Sequence, residues 1–78
     1  MKKLISIFGS TGSIGLTTLN IIDKKKNYFK PYLFSANKNY NLICKQIIKY
    51  KPTYFLINSE NVYKKVKKKF KFSKINII

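Results

Sequence analysis

The 78 residues of this chain allow one small domain at most, with a marginal core, since a chain of this size buries only about 60% of its unfolded surface. Its 45% apolar and 15% aromatic content argue against intrinsic disorder in spite of a net charge of +15. With no histidine and two acids, Asp23 and Glu60, it can build neither a carboxylate-rich metal site nor a histidine-based acid–base pair.

Leu4-Ile5-Ser6-Ile7-Phe8 is apolar and β-branched and stops at a glycine, the pattern of a buried parallel strand. At about five apolar residues it is shorter than the ~7 of a signal-peptide core. The Met1-Lys2-Lys3 start therefore reads as the native beginning of a cytoplasmic protein. From Ile14 to Asp23, the spacing of Ile14, Thr18 and Ile22 with Leu19 alongside predicts a helix. Lys24-Lys25-Lys26-Asn27 closes it, cations suiting a helix C-terminus and Asn27 a left-handed cap. Pro31 precedes a second strand, Tyr32 to Ala36, and Asn37 to Asn41 is a loop by composition.

The next helix carries Leu42, Ile43, Cys44, Ile47 and Ile48 on one side and Lys45, Gln46 and Lys49 on the other. Cys44 falls in the apolar stripe, a small core residue rather than a nucleophile, and as the lone cysteine it fits a reducing compartment. Pro52 punctuates before a third strand, Tyr54 to Ile57. Ser59 is placed to cap a third helix with Glu60 in its first turn. Val62, Val66 and Phe70 form that helix's stripe, and the lysines between Lys64 and Lys71 cover its solvated faces. An apolar scrap, Ile75 to Ile78, ends the chain. The order predicts an α/β fold: a Rossmann-like parallel sheet, the β-α-β-α-β-α half of a doubly wound dinucleotide-binding domain. In the doubly wound order the first strand is central, so its outer neighbour is here missing or reduced to Ile75 to Ile78.

Chemistry concentrates in Gly9-Ser10-Thr11-Gly12-Ser13-Ile14-Gly15, which joins the first strand to the first helix. In a βαβ unit of about 30 residues, this is the setting of a dinucleotide fingerprint. Gly9 permits the tight turn, Gly12 lets the backbone approach a pyrophosphate, and Gly15 lets the helix pack closely. The helix N-terminus offers unpaired N–H groups to the phosphates, and Ser10, Thr11 and Ser13 add hydroxyl donors. NAD binders place an acid at the end of the second strand for the ribose 2′-OH. Here that region reads Ser35-Ala36-Asn37-Lys38-Asn39. A serine, two amides and a lysine welcome a 2′-phosphate, so the expected cofactor is NADP(H).

Gly9 to Gly15 followed by Leu16-Thr17-Thr18-Leu19-Asn20-Ile21-Ile22 closely resembles the N-terminus of the 1-deoxy-D-xylulose 5-phosphate reductoisomerase family. That family's A-G-K-N loop after the second strand reads Ala36-Asn37-Lys38-Asn39 here, Asn37 standing for the glycine as the next-best residue for a left-handed turn. Gln46 to Phe55 is similar to the family's stretch leading into the third strand. The resemblance implies NADPH-dependent conversion of 1-deoxy-D-xylulose 5-phosphate to 2-C-methyl-D-erythritol 4-phosphate in isoprenoid precursor synthesis. It also implies NADPH contacts at Thr11, Gly12, Ser13, Ile14, Asn37, Lys38 and Asn39. It further implies a phosphosugar substrate, Mg or Mn in the full-length enzyme only, and a homodimer when full length. Residues 1–78 are then an incomplete N-terminal NADP(H)-binding domain, inactive alone, with the catalytic and metal-binding regions absent.

Two other readings compete. One is the N-terminus of another NADP-binding dehydrogenase or epimerase, which shares G-x-x-G-x-x-G but does not usually combine it with Ser-Ile-Gly, Thr-Leu and a Lys-Asn loop. The other is a small basic nucleic-acid-binding protein. That class interleaves basic residues with exposed aromatics or uses arginine, whereas all seventeen basic residues here are lysine. Lysine, isoleucine, asparagine, tyrosine and phenylalanine fill 49 of the 78 positions. All five have A/T-rich codons, so nucleotide bias accounts for the basicity. No apolar run approaches the roughly 18 residues of a membrane span, and neither nucleic acid nor membrane is an expected partner.

Overall fold

The computed structural model describes residues 2–25 and 27–78, so Met1 of the start and Lys26 of the closing lysine run lie outside the described residues. Seven elements follow one another: β1 (Lys3–Phe8), α1 (Ser13–Lys24), β2 (Phe29–Ala36), α2 (Tyr40–Tyr50), β3 (Tyr54–Ile57), α3 (Glu60–Lys69) and β4 (Asn76–Ile77). All pairings are parallel, in the order β1-β2-β3-β4. Each crossover therefore steps one strand in the same direction, and right-handed crossovers then put all three helices on one face of the sheet.

The side chains confirm the layering. Ile7, Phe34, Phe55 and Ile77 lie in register across the four strands, with Ala36 beside Ile57 one row on. They form a single buried cluster with Leu19 and Ile22 of α1, Ile43 and Ile47 of α2, and Val62 and Val66 of α3. Phe34 and Phe55 are wholly buried and meet edge to face at 6.0 Å, each contributing about 1.5–3 kcal/mol by burial. At 34 × 27 × 15 Å the molecule is flat, the thickness of one helix layer on one sheet. On the opposite face, Leu4 and Phe8 are exposed, and Tyr32 and Tyr54 stack edge-on at 5.4 Å.

The α/β reading holds: the chain is a parallel sheet with alternating helices. Several expectations change in detail. β2 begins at Phe29, so Pro31 lies inside the strand rather than before it. It is tolerated because β3 pairs with β2 only from Leu33 on, leaving one neighbour at Pro31, and Tyr32 bulges out between the pairs Ile5–Pro31 and Ser6–Leu33. The C-cap of α1 is Lys25 at φ −125°, two residues before Asn27. The helix α2 starts at Tyr40, two residues earlier than its apolar stripe. In it Gln46 is buried and Ile48 is 59% exposed, the reverse of the expected sides. Gln46 sits at i+3 from Ile43, on the buried stripe, whereas Ile48 at i+5 falls roughly 140° away. Finally, Ile75 to Ile78 yields a two-residue β4 that pairs with β3 and not with β1. It leaves the outer edge of β1 without a neighbour in the sheet.

Candidate functional site

The loops that follow β1, β2 and β3 gather at the carboxyl ends of the strands, where open α/β sheets bind ligands. Gly9 turns the chain off β1 at φ 76°, a conformation that favours glycine. Behind the turn, the Gly9 amide donates to Ser35 Oγ at 3.0 Å and the Ser10 amide to the Ser35 carbonyl at 2.8 Å, lashing the loop to β2. Gly15 is required by packing: a Cβ there would lie 2.7 Å from Ser10 Cα and closer still to the Gly9 carbonyl oxygen.

Gly12 is different. It is the N-cap of α1 in extended backbone, φ −82°, and a Cβ on it would meet only the Gly9 oxygen at an ordinary 3.5 Å. Nothing in the protein's own packing asks for glycine at this position. The end it caps is also bare. Asn39 Oδ1 accepts from the Leu42 amide at 3.3 Å to cap α2, and Ser59 Oγ from the Val62 amide at 3.4 Å to cap α3, as expected for Ser59. The helix α1 has no side-chain cap and no acid in its first turn. Its N-terminal end, with the positive end of the helix dipole, is left without a side-chain partner, an arrangement suited to an anion.

Thr11, Gly12, Ser13 and Ile14 all lie on this turn, Ile14 with its side chain 84% exposed. Asn37, Lys38 and Asn39 line the neighbouring β2–α2 loop, all three exposed. Asn37 Oδ1 accepts from Asn58 Nδ2 at 2.8 Å, and its carbonyl accepts from the Ser59 amide at 3.2 Å, so the third loop braces the second. Among the described non-glycine residues only Lys51 has positive φ. Asn37 is therefore not in the left-handed turn expected of it, and this position needs no glycine for its backbone.

Two expected ligand donors face inward instead. Ser10 is wholly buried, its hydroxyl donating to Gln46 Oε1 at 2.6 Å, while Gln46 Nε2 donates to the Ser10 carbonyl at 2.8 Å. Ser35 is buried as well and its Oγ holds the Gly9 amide, so it does not meet a 2′-phosphate. Gln46 is the loop contact that composition alone hides; its helical phase with Ile43 and Ile47 is the signal that marks it. No group of three or more His, Cys, Asp and Glu among the described residues could hold a metal. Asp23, at the far end of α1, is held by Lys49 Nζ and Tyr50 OH, each at 3.0 Å.

A profile of the 1-deoxy-D-xylulose 5-phosphate reductoisomerase family matches residues 5–78. Among curated proteins of that name, the one from Clostridium novyi (strain NT) is 45% identical over 75 residues, 96% of this chain and 20% of its own length. The one from Elusimicrobium minutum (strain Pei191) is 43% identical over 67 residues, 86% of this chain and 17% of its own. The chain thus spans about a fifth of the curated relatives it matches. Among solved structures, the reductoisomerase from Zymomonas mobilis in complex with NADPH superposes with a TM-score of 0.89 at 21% identity, over 99% of this chain and 20% of that one. A reductoisomerase with fosmidomycin and magnesium gives 0.85 at 23% identity, over 99% of this chain and 19% of that one.

Proposed function

The chain belongs to the 1-deoxy-D-xylulose 5-phosphate reductoisomerase family, and from that membership we propose that it is the N-terminal NADPH-binding part of an enzyme converting 1-deoxy-D-xylulose 5-phosphate to 2-C-methyl-D-erythritol 4-phosphate. The observation that carries the reading is Gly12 at the uncapped start of α1. The fold explains Gly9 and Gly15, whereas the space over Gly12 is open, which supports close approach of a ligand there. The cofactor's pyrophosphate has the charge and the need for close backbone approach that this end of the helix offers.

When bound, NADPH supplies the hydride of the reduction. The residues of this chain bind and orient it. Ser13 and Ile14 present first-turn amides to the pyrophosphate, Gly12, whose own amide donates to the Gly9 carbonyl at 3.0 Å, leaves room for its approach, and Thr11 flanks it. Lys38, with Asn37 and Asn39 beside it, meets the ribose 2′-phosphate. Asn39 also caps α2, so its side-chain oxygen is committed there and it contributes chiefly by shaping the loop. Catalytic and metal-binding groups belong to the length that the relatives have beyond the matched stretch, as do the phosphosugar site and a homodimer interface. No helix among the described residues is long and apolar enough to cross a membrane.

Calorimetric titration tests the reading. NADPH is expected to bind about tenfold more tightly than NADH, ~1.4 kcal/mol, and Gly12→Val to abolish binding. Equal affinities, or a Gly12→Val chain that binds as the parent does, would overturn it.

A further inference from the structure

The glycine loop is held from behind by a side chain of α2. Ser10 and Gln46 are 36 positions apart, both buried, and joined by two short hydrogen bonds that engage the Ser10 hydroxyl and the Ser10 carbonyl together. A carboxamide buried on a helix is costly unless both of its ends are paired, and Gln46 is paired at both ends to one residue of the loop. No buried side-chain polar atom among the described residues is left without a partner.

We propose that Gln46 is a positioning residue for the cofactor. By gripping Ser10, two residues before Gly12, it sets the path of Thr11 to Ile14 and the aim of the α1 N-terminus. The same side chain belongs to α2, whose start at Tyr40 directly follows the Asn37–Asn39 loop. One amide therefore joins the two loops into a rigid pair and fixes the distance between the pyrophosphate and 2′-phosphate subsites. It also turns the Ser10 hydroxyl inward, leaving the bare helix end and Lys38 to meet the phosphates. The inference rests on the NADPH reading above but makes a separate demand of the free protein.

The 78-residue chain carrying Gln46→Glu tests it. Protonated, the acid keeps both bonds: its O–H donates to the Ser10 carbonyl and its C=O accepts from the Ser10 hydroxyl. Ionised, it loses the donor and sets a negative charge against that carbonyl. Burial raises such a group above its usual ~4.3. The ratio of variant to parent NADPH dissociation constants is expected near one at about pH 5 and about tenfold by about pH 8, the worth of one buried hydrogen bond. Gln46→Met is expected to bind about tenfold more weakly than the parent at both pH values. In the cofactor-free variant, the amide signals of Gly9, Gly12 and Gly15 should titrate together while those of Val62 and Val66 stay fixed. A flat affinity ratio or immobile loop amides would overturn the proposal. Loss of the Val62 and Val66 signals in step with the loop would overturn it too, since Gln46 would then be a prop of the whole fold. A parent chain that binds no NADPH counts against the functional reading, and the cofactor-free titration still decides the role of Gln46.

Discussion

Three glycines within seven residues do three separate jobs, and substitution can tell them apart. At Gly15 a methyl group would enter the backbone of Gly9 and Ser10. Gly15→Ala is therefore expected to cost about 2–3 kcal/mol of stability in a urea melt, from overpacking against atoms that cannot swing away. At Gly12 the space is open, and serine is a better N-cap than glycine. Gly12→Ser is expected to leave stability unchanged or to raise it by a few tenths of a kcal/mol, yet to weaken NADPH more than about tenfold by filling the pyrophosphate's place. A Gly12→Ser chain that loses stability, or keeps its affinity, would contradict this division. Lys51 presents the opposite case, a side chain at φ 48° on the left-handed C-cap of α2. Lys51→Gly is expected to stabilise the fold by about 0.5–1 kcal/mol, the relief of the left-handed conformation exceeding the added chain entropy. A lower denaturation midpoint would refute it.

Among the elements, the contrast lies between helices that satisfy their own N-termini and one that does not. The helices α2 and α3 are closed by Asn39 and Ser59, while α1 has no side-chain cap. In the proposed reading the β2–α2 loop decides which nicotinamide cofactor is preferred. Its exposed lysine stands where an NAD binder carries an acid. Lys38→Ala is expected to weaken NADPH about tenfold while leaving NADH nearly untouched, since only NADPH carries the 2′-phosphate. Parallel losses for both cofactors would place the lysine at the pyrophosphate or away from the site.

At the scale of the whole molecule, one face of the sheet is covered and the other is bare. Leu4 at 61% and Phe8 at 74% exposure lie on that face, along a strand whose outer edge has no partner. Edges of this kind invite pairing with another chain, and a charge of +15 opposes it by repulsion. The isolated chain is therefore expected to self-associate as salt screens its lysines, to melt broadly, and to show no reductoisomerase activity, since its two acids build no metal site. Size exclusion across salt and protein concentration, with a thermal melt alongside, checks this. A monomer at every concentration with a sharp melt above about 60 °C would overturn it.

The strands β1 and β3, the stripe of α3, the cap at Ser59 and the glycine turn were all legible from sequence, although β1, expected as a buried strand, lies at the sheet edge with Leu4 and Phe8 exposed. Each depends on residues within a few positions of one another: alternation, helical spacing, a capping hydroxyl, a glycine where the chain must turn. The position of β4 was not, because two paired residues have no periodicity, and only the packing of α3 across β3 decides which side the next strand joins. Nor were the inward turns of Ser10, Ser35 and Gln46. A serine or glutamine is polar by type, and its burial depends on a partner that can be 25 to 36 positions away. Local chemistry thus set the elements and the glycine turn. Tertiary structure alone chose which polar groups stay exposed and which hold the loop, because these side-chain hydrogen bonds form only where two distant segments meet.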